Sequence, residues 1–318
     1  MKVIISDCDH ADIQIEQEIF RKNHIDFELQ QNETEDDLIQ HCQEASVIIN
    51  QYAPFTEKVL SQLPKLKLIV RYGVGVNNID LTAATKYGVQ ICNVPDYGTH
   101  EVADHALALM LALTRKITKM NRLVKEGIWD YQESIPIFRH SEQVVGVIGV
   151  GRIGSEFAKK VHALGCKVIA YDVSAQHKKY ESSLSFIEFV EFEQLIQKAD
   201  IISIHCPSDN AMNLINESVL KRMKRTSYLI NVSRGGIVDE DALYEALASN
   251  TIAGVALDVS VKEPITTESP LLTLDNFICT PHMAWYSEQA AQELKRKVAE
   301  EAVRYVKNER LHYPVNQI

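Results

Sequence analysis

Three side chains that can carry acid–base chemistry lie in loops that follow predicted strands. They are Arg234, Glu263 and His282. In open parallel sheets ligands bind beyond the carboxyl ends of the strands, so these positions can converge. An arginine can hold a carboxylate with two hydrogen bonds and polarise a carbonyl oxygen. A histidine can exchange the proton that accompanies a hydride, and a glutamate can orient the imidazole and favour its charged form. This combination suits redox chemistry on a 2-oxo acid.

A glycine pattern earlier in the chain predicts where a redox cofactor would bind. Gly149, Gly151 and Gly154 form G-x-G-x-x-G between an apolar strand, 143–148, and a helix. The first glycine allows a tight turn, the second lets the backbone approach a pyrophosphate, and the third lets helix and strand pack closely. The helix N-terminus adds free N–H groups and a positive dipole end. The pattern, in this context, predicts a dinucleotide-binding loop.

The residue at the end of the next strand indicates which dinucleotide this loop would bind. Asp172 lies where a carboxylate can bind the hydroxyls of the adenosine ribose. Val173 and Ser174 follow it instead of an arginine. A 2′-phosphate would therefore meet a negative charge without a compensating cation, which predicts NAD in preference to NADP.

The elements that must position these residues alternate between strand and helix along the chain, which predicts parallel sheets with helices on their faces. The predicted strands are 3–6, 46–50, 68–72, 90–94, 143–148, 167–171, 201–205, 228–232, 253–257 and 277–279. A helix from near Glu101 to about Leu123 is apolar almost all round, as expected at a domain junction. The helix 288–307 is long enough to return across that junction. We therefore expect two doubly wound α/β domains, one inserted into the other.

Composition excludes several classes of partner. Lysine and arginine number 33 and aspartate and glutamate 43, for a net charge of −10, so neither a nucleic acid nor an anionic membrane is an expected partner. We predict neither a signal peptide at the start nor a membrane-spanning segment. The six cysteines form no C-x-x-C pair, which argues against a disulfide framework or zinc site and favours the cytoplasm. His100 to His105 comes near H-E-x-x-H, but Asp104 occupies the second histidine position, so no metal is expected.

From about Lys65 to Arg304 the sequence resembles the D-isomer-specific 2-hydroxyacid dehydrogenases. The resemblance is carried by the segments 73–80 (GVGVNNID), 92–95 (CNVP), the glycine loop, 231–236 (NVSRGG), 262–264 (KEP) and 280–282 (TPH). It implies a Rossmann NAD-binding domain, 99–284, inserted into a discontinuous flavodoxin-like substrate domain, 1–98 and 285–318. It also implies a homodimer formed through the cofactor domain.

The resemblance also implies roles for individual residues. Arg234, Glu263 and His282 match the catalytic arginine, glutamate and histidine. Cofactor contacts are implied for Gly149, Gly151, Arg152, Ile153, Gly154, Asp172, His205, Cys206, Pro207, Val232, Ser233, Arg234, Asp258, His282 and Trp285. Substrate contacts are implied for Tyr52, Arg71, Val74, Gly75 and Trp285.

Within the family, 280–290 is most similar to the branch of the C-terminal binding proteins. An NADH-sensing, corepressor-like interaction protein is therefore an alternative to an enzyme that interconverts a 2-oxo acid and a D-2-hydroxy acid. A third interpretation is a D-3-phosphoglycerate dehydrogenase. The loop 51–55, however, offers no cation to a phosphate, and Arg71 alone could partly supply one. We also expect no regulatory domain of the kind that some of those enzymes carry.

Overall fold

The computed structural model describes residues 1–173, 184–208 and 211–318. The chain divides into two compact units, Met1–Gly98 with Ser287–Ile318, and Thr99–Tyr286. The second junction thus lies two residues beyond the predicted one, after Tyr286 instead of residue 284. Ser287 starts the new unit because its hydroxyl caps the final helix by accepting the N–H of Ala290.

The first unit contains a parallel sheet of five strands in the order β2-β1-β3-β4-β5, the flavodoxin-like order. Its strands are β1 (Val3–Ile5), β2 (Phe27–Leu29), β3 (Val47–Asn50), β4 (Leu68–Arg71) and β5 (Gln90–Cys92). Its helices are α1 (Gln14–Lys22), α2 (Glu35–His41), α3 (Glu57–Gln62), α4 (Leu81–Lys86) and the last helix of the chain, α11 (Glu288–Val306).

The second unit contains a parallel sheet of seven strands in the order β12-β11-β10-β9-β6-β7-β8, and strand order reverses between β6 and β9. Its strands are β6 (Val144–Ile148), β7 (Lys167–Tyr171), β8 (Ile187–Phe189), β9 (Ile201–Ile204), β10 (Tyr228–Asn231), β11 (Gly254–Leu257) and β12 (Phe277–Cys279). Its α-helices are α5 (Thr99–Thr114), α6 (Ile117–Lys125), α7 (Arg152–Ala163), α8 (Phe192–Lys198), α9 (Glu217–Leu220) and α10 (Glu240–Ala248). This is the Rossmann arrangement. The predicted fold class, two doubly wound parallel sheets, is confirmed.

Central strands are buried on both faces, which explains their continuous apolar sequences. All four residues of β9, β10 and β11 are buried. Successive side chains of one strand enter different cores: Val147 packs in one apolar cluster of the second unit and Ile148 in the other. A sheet covered by helices on both sides requires such runs. The rigid sheet fixes where the loops at its carboxyl edge begin.

The predicted long helix from Glu101 to about Leu123 is wrong in its length. The structure has α5 and then α6, separated at Lys116, whose φ is 54°. A left-handed residue cannot continue a right-handed helix, so the hydrogen-bonding pattern restarts. Neither glycine nor proline marks this break in the sequence. Within the described ranges no helix is both long and apolar enough to cross a membrane.

Candidate active site

The three residues singled out by their chemistry lie at one edge of the second unit's sheet. Arg234 follows β10, Glu263 lies in the loop after β11, and His282 follows β12. These strands are neighbours, so their loops pack directly together. A Cβ at Gly235 would lie only 2.1 Å from the carbonyl carbon of Ser260, which requires glycine at this contact.

Glu263 and His282 form a hydrogen-bonded pair, with 2.6 Å between Oε2 of the glutamate and Nδ1 of the histidine. The other carboxylate oxygen, Oε1, accepts the N–H of Ser260 at 3.0 Å. Partial burial acts to raise the pKa of Glu263. The hydrogen bonds from His282 and Ser260, with the positive charge of Arg234, outweigh burial and hold its pKa below the ordinary value. Glu263 is therefore ionised at neutral pH and orients the imidazole.

The backbone of the loop after β10 is held by Asn231, and this determines where the arginine begins. The side-chain amide of Asn231 donates to the carbonyl of Arg234 at 2.8 Å, and its oxygen accepts the N–H of Ser233 at 3.0 Å. The guanidinium of Arg234 donates to the carbonyl of Ser233 at 2.7 Å. Arg234 is half-buried, so part of the residue remains open to solvent.

His282 has a left-handed backbone, with φ of 52°. This conformation costs about 1 kcal/mol for a residue with a Cβ. Asp258 compensates: its carbonyl accepts the N–H of His282 at 2.9 Å, and its carboxylate accepts the N–H groups of Met283 and Ala284 at 3.0 and 2.9 Å. The carboxylate is 1% exposed. The oxygens of Asp258 therefore hold residues 282–284, the loop after β12 that carries His282 and is called the histidine loop below. The predicted contact of Asp258 with the cofactor stays a prediction.

The glycine loop lies at the point where strand order reverses. Gly149 has φ of 90°, and a Cβ there would lie 2.7 Å from the backbone nitrogen of Cys206, after β9. A Cβ at Gly154 would lie 2.0 Å from the carbonyl oxygen of Gly149. Both glycines are thus required by close packing of this turn. The topological switch point is where doubly wound sheets bind nucleotides.

Gly151 differs from these two because no packing requirement accounts for it. Its φ is −76°, which any residue can adopt, and a Cβ would meet no atom of the structure within 4 Å. It precedes the exposed Arg152 and the half-buried Ile153 at the N-terminus of α7. The open space above Gly151, beside free helical N–H groups, fits a pyrophosphate.

Asp172 lies at the end of β7, and its carboxylate accepts the N–H of Val150 at 2.6 Å. The hydrogen bond joins the acidic residue to the glycine loop. This places a carboxylate beside the loop, as ribose recognition requires. Ser174, one of the two positions after Asp172 where the sequence lacks an arginine for a 2′-phosphate, lies outside the described residues. The glycine loop and the neighbouring carboxylate of Asp172 therefore fit NAD.

The other predicted cofactor residues of this unit follow β9, β10 and β12. His205 is held by Ser203, 2.8 Å from its Nε2, and burial lowers the pKa of His205 to about 3. The hydroxyl of Ser233 donates to the carbonyl of Cys206. Three further residues were predicted to contact the cofactor. Pro207 is exposed, Val232 is buried in an apolar cluster of the second unit, and Trp285 is half-buried against the same cluster. Burial raises the pKa of the Cys206 thiol to about 11, so it is not an activated nucleophile.

The predicted substrate residues of the first unit follow β3 and β4. Tyr52 is exposed, and its hydroxyl donates to Asp9 at 3.1 Å. The guanidinium of Arg71 lies over Gly73, where a Cβ would be 1.9 Å from one of its nitrogens. Just beyond, the carbonyl of Val74 accepts the side-chain amide of Asn93 at 2.7 Å, and Gly75 is half-buried. Their contact with substrate stays a prediction.

Sequence reasoning missed His105, which lies beside the loop that carries His282. Nε2 of His105, on α5, lies 2.9 Å from the hydroxyl of Thr280 and 3.5 Å from the carboxylate of Asp258. In the sequence His105 stands out only as part of the segment from His100 to His105, which comes near H-E-x-x-H. Its separation from Thr280 by 175 positions left no local signal. In the part of the chain that the structure describes, no group of histidine, cysteine or acidic residues is arranged to bind a metal.

Residues 107–284 match the family described as D-isomer specific 2-hydroxyacid dehydrogenase, NAD binding domain. The chain belongs to the D-isomer-specific 2-hydroxyacid dehydrogenase family and contains its NAD-binding domain.

Individual relatives extend the similarity over most of the chain. A D-3-phosphoglycerate dehydrogenase of Archaeoglobus fulgidus is 37% identical over 93% of this chain, which spans only 56% of that protein's length. A glyoxylate reductase of Korarchaeum cryptofilum is 36% identical, over 83% of this chain and 80% of that one. The crystal structure of a D-lactate dehydrogenase from Aquifex aeolicus, complexed with NAD and lactic acid, has a TM-score of 0.87. It is 29% identical, and the match covers 96% of each chain.

Proposed function

We propose that this protein is an NAD-dependent oxidoreductase that interconverts a 2-oxo acid and a D-2-hydroxy acid, with His282 as the acid/base. The observation that carries the proposal is the 2.6 Å contact between His282 and Glu263 at the sheet edge that also bears the dinucleotide loop. A histidine paired with an ionised carboxylate is suited to donate and accept a proton near neutral pH. The family membership supports the same reaction.

The roles of the residues follow from their chemistry. NADH bound at the glycine loop would supply the hydride for the carbonyl carbon of the oxo acid. His282 gives its proton to the carbonyl oxygen, and in the reverse direction takes the proton of the hydroxyl. Arg234 binds the substrate carboxylate and polarises the carbonyl. Glu263 stabilises the imidazolium before its proton is transferred.

The first unit supports a preference among 2-oxo acids. The similar proteins named above act, by their names, on 3-phosphoglycerate, on glyoxylate and on D-lactate. The loop after β3 carries no cation, and Asp9 contributes a carboxylate that is 59% exposed and accepts hydrogen bonds from Gln51 and Tyr52. A phosphate near Tyr52 would meet this negative charge, whose effect on Tyr52 is larger than the opposing effect of the Arg71 cation. We therefore expect apolar or aromatic 2-oxo acids to be better substrates than 3-phosphohydroxypyruvate.

The test is NADH oxidation with glyoxylate, pyruvate, a branched 2-oxo acid, phenylpyruvate and 3-phosphohydroxypyruvate. We expect turnover with at least one of the four unphosphorylated acids, at a higher kcat/KM than with the phosphorylated one. His282→Ala is the matched control and should turn over every one of these acids slowly. A large advantage for 3-phosphohydroxypyruvate would overturn the substrate preference. Tight NADH binding without turnover of any acid would instead favour the NADH-sensing, corepressor-like alternative.

The proposed enzyme is a homodimer formed through the cofactor unit. In the segment from 128 to 138, Trp129 is 89% exposed and Tyr131 is 75% exposed, with Ile135 and Phe138 exposed nearby. Several large apolar side chains exposed in one short segment are typical of a protein interface. Sedimentation should therefore give twice the chain mass, and Trp129→Ser with Tyr131→Ser should shift the equilibrium to monomer. A monomeric wild-type protein would contradict this proposal.

A further inference from the structure

His105 belongs to α5 yet contacts the loop that carries the proposed acid/base. Its Nε2 lies 2.9 Å from Oγ1 of Thr280, which in turn lies 2.6 Å from Oδ1 of Asp258. The same carboxylate accepts the backbone N–H groups on the far side of His282, those of Met283 and Ala284. A continuous chain of hydrogen bonds therefore runs from the imidazole of His105 to the turn that bears His282.

The direction of each hydrogen bond follows from counting protons. The carboxylate of Asp258 already accepts two backbone N–H groups, and an ionised carboxylate only accepts. Thr280 has one hydroxyl proton, which must go to Asp258. The oxygen of Thr280 can then only accept from His105, so the proton of the neutral imidazole is assigned to Nε2.

This arrangement has a consequence for the left-handed turn at His282. The turn is unfavourable by itself and persists because Asp258 binds it through both backbone and side chain. The Asp258 carboxylate can bind the turn in this way only if its own orientation is fixed. Thr280 fixes one of its oxygens, and His105 fixes the rotation of the Thr280 hydroxyl.

We propose that His105 is a positioning residue for His282, acting through the Thr280 hydroxyl and the Asp258 carboxylate. The proposal rests on the proposed function, because it concerns the geometry of that reaction's proton donor. His105 itself touches neither substrate nor cofactor in this assignment. Its loss should misplace the imidazole of His282 without removing a group that binds NADH.

The test compares His105→Leu, which removes the donor, with His105→Gln, whose side-chain amide can still donate to Thr280. We expect His105→Leu to lower kcat about tenfold, as small misplacements of reacting groups do. The Kd for NADH should stay within twofold, and the isotope effect with deuterated NADH should increase. His105→Gln should recover most of the rate. Equal losses in both variants, or no loss in either, would overturn the proposal.

A second pair of variants covers the case in which His105→Leu does not fold. Thr280→Val removes the accepting oxygen at nearly constant shape, whereas Thr280→Ser keeps it. We expect the valine variant to lose activity like His105→Leu and the serine variant to retain it. Equal activity of the valine and serine variants would contradict the proposed chain.

One measurement is independent of turnover. Nitrogen-15 NMR of the histidines should show His105 as the Nε2–H tautomer, identified by the signal missing in His105→Gln. An Nδ1–H tautomer would refute the assigned direction of the bonds. A wild-type protein that reduces none of the oxo acids would refute the proposed function instead, and the NMR result would still decide the network.

Discussion

Replacement of Glu263 by glutamine removes the negative charge beside His282 but keeps the length of the side chain and an accepting oxygen. The imidazole and carboxylate are 2.6 Å apart, and their side chains are 45% and 40% exposed. Water therefore screens the pair, and its charge contribution is about 1 kcal/mol, near the upper end for exposed ion pairs. At 1.36 kcal/mol for each factor of ten in rate, this corresponds to about a fivefold loss of kcat/KM where the imidazolium has to be stabilised.

The sign follows from the direction of the reaction. Reduction needs the protonated imidazole, so its rate falls as pH rises. Without Glu263 the protonated form loses its stabilising charge, so kcat/KM for reduction should fall most at the alkaline end of its pH profile. At acidic pH the variant should recover much of the wild-type rate.

The assay measures kcat/KM for reduction against pH at fixed NADH, in wild type, Glu263→Gln and His282→Ala. His282→Ala should be slow at every pH, because it has no proton donor at this position. An unaltered kcat/KM at the alkaline end of the profile in Glu263→Gln would refute the role of Glu263 as the partner of His282.

Three further predictions concern the cofactor site and its surroundings. Asp172 should repel a 2′-phosphate, so kcat/KM with NADH should exceed that with NADPH at least tenfold, which needs only about 1.4 kcal/mol; equal values would contradict this. Gly151→Val should weaken NADH binding at least tenfold with Tm unchanged, whereas the control Gly149→Ala should lower Tm; an unaltered Kd for Gly151→Val would show that no pyrophosphate lies there. His205 is partly buried with its Nδ1 shielded from solvent, and this burial lowers its pKa to about 3, so it opposes folding increasingly as pH falls below the unfolded value of about 6.5. Between pH 7 and pH 5 wild type should therefore lose about 2 kcal/mol of unfolding free energy relative to His205→Gln in urea titrations, and parallel pH profiles would refute this.

The sequence predicted the interior of both sheets well, because a strand that is buried on both faces has a continuous run of apolar residues. The central strands read as continuous apolar runs, and each begins or ends within about two residues of its predicted limit. Of the four edge strands, β5 and β12 were predicted, but β2 and β8 were missed. Both are only three residues long, have a glutamate in the middle and are largely exposed. An edge strand is defined by its hydrogen bonds to one neighbour, and short polar sequences do not record these bonds.

The sequence also determined, by itself, which residues could do the chemistry. Arg234, Glu263 and His282 each follow a strand, and parallel strands deliver their carboxyl ends to one edge. Their convergence could therefore be expected before any coordinates. The pairing of Glu263 with His282, proposed from residue type, is present in the structure at 2.6 Å.

Only the tertiary structure decided how the histidine loop is held. The left-handed turn at His282, the burial of the Asp258 carboxylate and the contact from His105 depend on three elements that are distant in sequence. Likewise, close packing accounts for Gly149 and Gly154, whereas nothing of the described protein occupies the space above Gly151. Local sequence specifies which residue types are available and which elements they form. Distances between side chains on separate elements arise only when the sheet and its helices pack, and those distances determine what the site can do.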